Sequence, residues 1–250
     1  MNKNTKVNAA ILIIGNEILS GRTQDTNTIT IALWLNSLGV KVQEVRVIPD
    51  IEDIIVNTIS KVKKINNYVF TTGGIGPTHD DITAKSISKA FNVKYEVNKE
   101  AYKILENYYK PGEFNEGRQK MAWTPSKAKL ILNPTSGAPG FIIDNVYCLP
   151  GVPSILKSML GGLKNVISGG KPIISHTINL RTVESEIAKS LTTVQENNKD
   201  VEIGSYPFFR AGKVGVSIVL RSDDKSKIEV CNSKILEFVK QKKIEIIKSS

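Results

Sequence analysis

The sequence predicts a three-layer α/β/α fold around a mostly parallel sheet, followed by a small α+β domain. Over residues 8–92, apolar runs of strand length alternate with helix-like stretches and the connections are short, as in sheets built from β-α-β units. Beyond residue 172 the order changes to strand, helix, two adjacent strands and helix, which suits a separate small unit. We therefore place one domain at residues 1–170 and a second at 171–250, with the boundary in the glycine-rich segment 168–172.

The larger domain begins with a buried strand and a helix. Residues 8–15 form a continuous apolar run that ends in glycine, as buried parallel strands do. A helix is predicted over residues 25–39, because Ile29, Leu33 and Leu38 fall on one helical face and because a good capping residue precedes the run.

The remaining elements follow from the same patterns. Those of the larger domain are a strand at 40–49, a helix at 51–65, a strand at 67–74, a helix at 82–92, helical residues 99–121 broken at 111–115, strands at 128–134 and 138–151, and a helix at 153–168. Those of the smaller domain are a strand at 173–180, a helix at 183–198, strands at 201–209 and 213–222 joined by a turn around Gly212, and a helix at 224–243. Right-handed crossovers would place the loops that follow the parallel strands at the carboxyl edge of the sheet, where ligands bind in such folds.

The composition favours a cytoplasmic protein with a small anionic ligand. The formal net charge is +10, but no basic stripe interleaved with aromatics appears, so we do not expect nucleic acid as the main partner. The positive background favours a phosphorylated small molecule. No apolar run of about 18 residues, as a membrane span needs, is present. Cys148 and Cys231 lie outside any CxxC pair, which predicts buried thiols in a reducing cytosol. We also expect a homo-oligomer.

The segment TTGGIGPTHDDIT, residues 71–83, combines a glycine-rich turn with two adjacent aspartates. The glycines that allow the sharp turn are Gly73, Gly74 and Gly76. The start of the following helix supplies free N–H groups that favour a phosphate, and Asp80 and Asp81 suggest a divalent metal that bridges carboxylate and phosphate. The simpler alternative is a turn followed by a capped helix.

Three further stretches could contribute to the same site. The first strand is followed by Glu17, Arg22 and Asp25, which could hold a metal, a phosphate or a ribose hydroxyl; the alternative is an ordinary loop with a capped helix. Segments 133–141 and 149–154 are glycine-proline turns beside strands, and each offers backbone N–H groups. Singly these turns are common, but all four stretches could converge on one edge of the sheet.

Several common classes of enzyme are not expected, because their sequence motifs are absent. The chain contains no GxGxxG, GxxxxGK[ST], GxSxG or HExxH sequence, which removes the usual dinucleotide, P-loop, hydrolase-elbow and zinc-protease patterns. Ser136 has no evident triad, because the two histidines are His79 in the glycine-rich segment and His176 in a predicted strand.

Four motifs, in order, resemble those of the molybdopterin-binding (MoaB/Mog-like) domain family in its competence/damage-inducible protein A (CinA-like) form. They are IIGNEILSGRTQDTN at 13–27, TTGGIGPTHDDIT at 71–83, SGAPGF at 136–141 and LPGVP at 149–153. The likeness covers about residues 8–167, and its first two motifs are similar to the molybdopterin-binding-like half of eukaryotic FAD synthases. The tail from about residue 172 resembles the small second domain of the same family.

The resemblance implies a nucleotide or pterin site at the carboxyl edge of the sheet. It implies hydrolysis of a nucleotide diphosphate bond, in ADP-ribose or FAD, with a divalent metal (Mg, Mn or Co); the alternative is binding or adenylylation of molybdopterin. The residues implied as catalytic are Asp80, Asp81 and Glu17, the first two also as metal ligands. The residues implied in ligand or phosphate binding are Gly73, Gly74, Gly76, Thr83, Asp25, Asn27, Ser136, Gly137 and Gly151.

The chain also departs from its relatives. No segment resembles the nicotinamide-nucleotide deamidase domain that follows in many of them, or the adenylyltransferase domain of FAD synthase, so neither activity is expected. His79 stands where many bacterial relatives carry an acidic residue, which could alter the choice of metal.

Overall fold

The computed structural model describes residues 7–210 and 212–247, apart from the side chain of Arg210. It divides after Gly170 into two compact units. Residues 1–6 of the predicted first domain, and residues 211 and 248–250 of the predicted second domain, lie outside the described residues.

The first unit alternates strands and helices from its start. Its elements are β1 (Asn8–Ile14), α1 (Asn16–Leu19), α2 (Asn27–Ser37), β2 (Lys41–Ile48), α3 (Glu52–Ile65), β3 (Tyr68–Thr72), α4 (Thr83–Ala90), β4 (Tyr95–Val97), α5 (Lys99–Tyr108), α6 (Glu116–Lys120), β5 (Trp123–Pro125), β6 (Lys129–Ile131), β7 (Gly140–Ile143), β8 (Val146–Leu149) and α7 (Pro153–Gly162). The second unit contains β9 (Ile174–Arg181), α8 (Glu184–Glu196), β10 (Glu202–Arg210), β11 (Lys213–Ser222), α9 (Lys225–Gln241) and β12 (Glu245–Ile247).

The central sheet of the first unit has six strands in the order β2-β1-β3-β8-β7-β6. Neighbours among β2, β1, β3 and β8 are parallel, and β7 runs antiparallel to both β8 and β6. The mostly parallel sheet predicted from the sequence is therefore confirmed. A separate ribbon pairs β4 with β5 in antiparallel register.

Both faces of this sheet are buried, which makes the unit three layers thick. Along β1, Ile11 and Ile13 belong to a core cluster shared with α2 and α7, whereas Leu12 and Ile14 belong to a second cluster shared with α3 and α4. Burying one such side chain contributes about 2 kcal/mol. A continuous apolar strand is the pattern that two helical layers require.

The face of α2 that packs on the sheet differs from the predicted one. Ile31 and Leu35 are fully buried, whereas Ile29 and Leu33 are 62% and 66% exposed. Both pairs have the four-residue spacing of a helical face, and α2 carries apolar residues almost all round. The spacing therefore predicted the helix correctly, but it could not choose between the two faces.

The second unit is an antiparallel sheet with two helices. The strand order is β10-β11-β9-β12, and β11 and β9 contribute alternate residues to a core completed by α8 and α9. The order up to α9 agrees with the predicted small α+β unit, and the short β12 beside β9 was not predicted. Among the described residues, none of the helices combines the length with the apolar composition that a bilayer crossing requires.

Neither cysteine is expected to react with a thiol reagent while the protein is folded. Cys148 and Cys231 are both fully buried, and burial raises the pKa of the Cys148 thiol to about 12. Because the thiolate is the reactive form, titration with a chromogenic disulfide at pH 8 should detect no thiol in native protein and two after unfolding in guanidinium. Rapid reaction of one thiol in native protein would contradict this packing.

Candidate functional site

Five loops meet at the carboxyl edge of the central sheet. They follow β1, β2, β3, β6 and β8. Backbone hydrogen bonds tie neighbouring loops together: the Gly15 N–H donates to the Ile48 carbonyl at 3.2 Å, and the Gly73 N–H donates to the Leu149 carbonyl at 3.1 Å. The four stretches singled out in the sequence thus lie at this edge, together with the loop that follows β2.

The loop after β3 passes too close to its neighbours to carry side chains at two positions. Gly73 and Gly74 have φ of 102° and 68°, in the left-handed region that favours glycine. A Cβ built on Gly73 would lie 2.1 Å from the Ile14 carbonyl oxygen, and one on Gly74 would lie 2.2 Å from Thr83 Oγ1. Among the described residues, the N–H groups of Gly74, Ile75 and Gly76 have no acceptor within the protein.

Thr83 begins α4 directly opposite these glycines. Its N–H donates to the Gly74 carbonyl at 2.9 Å, and its buried hydroxyl oxygen has no hydrogen-bond partner among the described residues. An unpartnered buried hydroxyl is costly unless a ligand or water satisfies it. The Gly74–Gly76 amides, the Thr83 hydroxyl and the positive end of α4 together favour a bound anion.

Asp81 closes a turn and does not cap the helix. Its Oδ2 accepts hydrogen bonds from the Thr78 N–H, at 2.8 Å, and from the Thr78 hydroxyl. The residue at the N-cap of α4 is Ile82, and no side chain caps that position. The alternative of a turn followed by an aspartate-capped helix therefore does not describe this loop.

Four carboxylates lie around the same loop. Asp50 Oδ2 accepts from the Asn16 N–H at 2.9 Å. Partial burial raises the pKa of Asp50; the Asn16 amide opposes that shift, and the negative charges of Glu17, Asp80 and Asp81 add to it. A carboxylate whose pKa is raised by burial and by neighbouring negative charges is typical of cation sites and of acid–base catalysis.

Asp50 was missed in the sequence. It follows β2 by two residues, and β2 is parallel to β1 in the sheet. The rule that loops after parallel strands hold the ligand applies to the strand predicted at 40–49 as it does to the others, and it would have selected Pro49 and Asp50.

Asp80 is fully exposed, and its charge is favoured by nearby positive groups. Its pKa is held below the usual value by the Thr78 hydroxyl, by its own backbone amide, and by His79 and Lys120. One hydroxyl carries one proton, and the side-chain hydrogen bond from this hydroxyl goes to Asp81. The backbone amide and the two basic side chains are therefore the groups that keep Asp80 charged.

Asn27 joins three of the loops. Its Nδ2 donates to Thr72 Oγ1 at 2.9 Å and to the Gly151 carbonyl at 2.8 Å. Its Oδ1 is buried and without a partner among the described residues. Asp25 Oδ1 accepts from the Asn27 and Thr28 N–H groups, so Asp25 caps the start of α2 and fixes Asn27 in place.

The loop after β6 is held by an asparagine. Asn133 Oδ1 accepts from the N–H groups of Thr135 and Ser136, and its Nδ2 donates to Ser136 Oγ at 2.7 Å. Gly137 follows with φ of 76°. Further along this loop, Pro139 lines a narrow crevice shared with Gly76, so this loop adjoins the glycine turn after β3.

The comparisons with known proteins agree with this architecture. The family described as "Probable molybdopterin binding domain" matches residues 10–176. The chain belongs to the molybdopterin-binding domain family. The family described as "FAD synthase, middle domain" matches residues 172–247.

Relatives of this molybdopterin-binding-domain protein occur in archaea. A protein of Archaeoglobus fulgidus is 36% identical over 217 residues, which cover 87% of this chain and 92% of that protein. A protein of Pyrobaculum calidifontis is 34% identical over 210 residues, 80% of each chain. The crystal structure of the CinA protein of Thermoplasma acidophilum, whose function is described as unknown, superposes with a TM-score of 0.61 at 32% identity and covers 66% of this chain and 100% of that one. The resemblance to the CinA-like branch of the family is confirmed.

Within this molybdopterin-binding domain, the predicted site residues fall into two groups. Those around the glycine turn after β3 are Gly73, Gly74, Gly76, Asp80, Asp81 and Thr83, with Glu17 nearby. Those in the adjoining loops are Asp25, Asn27, Ser136, Gly137 and Gly151. A Cβ on Gly151 would lie 3.5 Å from the Gly73 Cα, which shows how closely the loops after β3 and β8 approach.

The carboxylates of the molybdopterin-binding domain fit a metal only in part. Among the described residues, no three histidine, cysteine, aspartate or glutamate side chains converge to hold an ion. Asp80 and Asp81 offer oxygen atoms, the ligands that Mg²⁺ and Mn²⁺ prefer. Mg²⁺ commonly binds one or two carboxylates together with substrate phosphates, so these residues suit a metal that binds together with a phosphorylated ligand.

Proposed function

We propose that this protein hydrolyses a nucleotide diphosphate bond, of the ADP-ribose or FAD type, with a divalent metal. The observation that supports the proposal is the arrangement of the loop after β3. On one side it presents the unpaired N–H groups of Gly74 to Gly76 and the unpaired Thr83 hydroxyl. Around it lie the carboxylates of Glu17, Asp50, Asp80 and Asp81. Donors for a diphosphate and carboxylates for a cation therefore meet at one place.

The residues around the glycine turn have different roles in the proposed reaction. The amides of the glycine turn and the Thr83 hydroxyl bind the phosphate oxygens. The unpaired Oδ1 of Asn27 accepts a hydrogen bond from a ligand hydroxyl. Asp50 takes the proton of the attacking water, because its raised pKa is closer to neutral pH than that of an ordinary aspartate.

Asp80 and Asp81 are the residues that would hold the divalent metal. When bound, such an ion polarises a phosphoryl oxygen and lowers the pKa of a water molecule. Lys120 donates from Nζ to the Thr78 carbonyl and so holds the turn from which both carboxylates project.

The proposal predicts AMP release from ADP-ribose or FAD. Purified protein with Mg²⁺, Mn²⁺ or Co²⁺ should form AMP, measured by liquid chromatography, and chelation should stop the reaction. Asp81→Asn should lower the rate by at least about 10-fold, because the Asn side chain carries no charge for the metal.

Asp53→Asn is the matched control for this substitution. Asp53 lies on α3, its side chain is 82% exposed, and its partner is the surface residue Lys89. This variant should keep the wild-type rate. Absence of AMP with every metal would reject the hydrolase, and full activity of Asp81→Asn would reject the metal-binding role of Asp81.

A second candidate function is the binding or adenylylation of molybdopterin. Membership of the molybdopterin-binding domain family favours it, and the same glycine turn would hold the phosphate of the pterin. Calorimetry with molybdopterin should then give micromolar binding, and Mg-ATP should yield an adenylylated product. No heat of binding at that concentration would reject this alternative.

A further inference from the structure

Tyr108, the last residue of α5, is an exposed aromatic side chain placed against the loop after β6. It is 52% exposed. A Cβ built on Gly137 would lie 2.6 Å from the Tyr108 Cγ, so the ring occupies the space that any larger residue at 137 would need. Gly137 also has φ of 76°. Because residue 137 is glycine, the chain can make this turn and the Tyr108 ring can pack against it.

The Tyr108 ring packs against the neighbouring ring of Tyr109. Its centroid lies 5.1 Å from that of Tyr109, with the two planes perpendicular. Tyr109 is itself stacked on Phe114 and covered by the guanidinium of Arg118, 4.1 Å from its ring centroid. A side chain that is fixed on one side and half exposed on the other can receive a ligand at little entropic cost.

The chain segment that carries Tyr108 also contacts the glycine turn after β3. A Cβ built on Gly117 would lie 3.3 Å from the Pro77 carbonyl oxygen, and Lys120 binds the Thr78 carbonyl. In the sheet, β6 lies three strands away from β3, which corresponds to about 14 Å. Tyr108 and the glycine turn thus belong to different parts of this edge of the sheet, so only a ligand longer than a single phosphate group could contact both.

We propose that Tyr108 stacks on the flat heteroaromatic ring of the substrate and so selects diphosphates that carry such a ring. The inference rests on the proposed function, because it takes the diphosphate to lie at the glycine turn. Tyrosine offers a wide, weakly polar face to heteroaromatic rings, and stacking of this kind tolerates different bases. Tyr108 is thus a specificity residue, since the diphosphate contacts come from other groups.

The test compares a ring-bearing probe with its ringless counterpart. The probes are α,β-methylene-ADP and methylenediphosphonate, which cannot be cleaved, with Mg²⁺ present and calorimetry as the readout. Tyr108→Ala should weaken binding of α,β-methylene-ADP about 10-fold and leave methylenediphosphonate unchanged. Tyr108→Phe should bind both probes as the wild type does. FMN serves as a second ring-bearing probe. If Tyr108→Ala weakens the binding of α,β-methylene-ADP but not of FMN, the stacked ring is adenine. If it weakens the binding of FMN but not of α,β-methylene-ADP, the stacked ring is isoalloxazine.

Tyr206→Ala is the matched control, because Tyr206 lies on β10 of the second unit and is 46% exposed. It should bind every probe normally. Equal weakening of ring-bearing and ringless probes by Tyr108→Ala, or no weakening at all, would overturn the stacking role and leave the proposed function standing. Failure of the wild-type protein to bind any probe would overturn the proposed function along with it.

Discussion

Gly73→Ala is expected to lower the free energy of unfolding by about 4 kcal/mol. A non-glycine residue at φ of 102° costs on the order of 1–3 kcal/mol. The added Cβ would also lie 2.1 Å from the Ile14 carbonyl oxygen, and overpacking of this kind costs about 1–3 kcal/mol more. The contacted atom belongs to the backbone of β1, which is paired with a strand on each side, so it cannot move away as a flexible side chain could. Urea unfolding followed by circular dichroism measures the loss.

Gly21→Ala separates the cost of backbone strain from the cost of overpacking. Gly21 has φ of 72°, and a Cβ there would meet no atom within 4 Å, so only the backbone strain remains, about 1 kcal/mol. The difference between the two variants then reports the close approach of the β3 loop to β1, together with the larger φ of Gly73. Equal losses in both variants would show that this approach contributes nothing to the effect.

Asp50→Asn is expected to lower AMP formation at least about 100-fold, the usual contribution of a general base. An asparagine cannot accept the proton of water, but its side-chain oxygen can still accept from the Asn16 N–H as Asp50 Oδ2 does. The fold is thus retained while the proposed base is lost. Steady-state kinetics with ADP-ribose and a divalent metal measures the effect.

The same substitution should leave stability unchanged or raise it near neutral pH. The folded-state pKa of Asp50 lies above the ordinary aspartate value of 3.8, so the folded protein favours the protonated carboxyl. The contribution of Asp50 to stability is therefore most favourable below pH about 4 and is lost as pH rises through the folded-state pKa. In thermal unfolding between pH 4 and 7, the unfolding temperature of the variant should increase relative to that of the wild type as the pH rises.

Asp53→Asn again provides the control, because its carboxylate is 82% exposed and its partner is the surface residue Lys89. It should change neither the rate nor the relative stability between pH 4 and 7. An Asp50→Asn variant with wild-type kinetics would reject the base assignment. If Asp50→Asn unfolded more easily than the wild type at pH 7, the conclusion that the folded protein disfavours the charged form of Asp50 would be wrong.

The alternating pattern predicted the sheet because it depends on local chemistry. A strand buried on both faces must be apolar throughout, as residues 8–14 are, and such runs separated by helices leave few topologies. The packed face of α2 was not predictable in the same way, since Ile29 and Ile31 are equally apolar. Only the position of the sheet decides which of them is buried.

The candidate site was predictable where a local motif marks it. The glycines after β3 stand out because close backbone approaches exclude every other residue. Asp50 and Tyr108 lack such a mark, because a single carboxylate or tyrosine acquires its role from neighbours distant in sequence. The β4–β5 ribbon and β12 were missed for a related reason: strands of three residues are too short to show periodicity.

The bridge made by the Asn27 side chain bears on how the edge of the sheet moves. One amide group holds the start of α2, the end of β3 and the loop after β8, so none of the three can shift alone without breaking one of these hydrogen bonds. The cleft is therefore pre-organised, and a ligand that enters it loses little affinity to the ordering of loops.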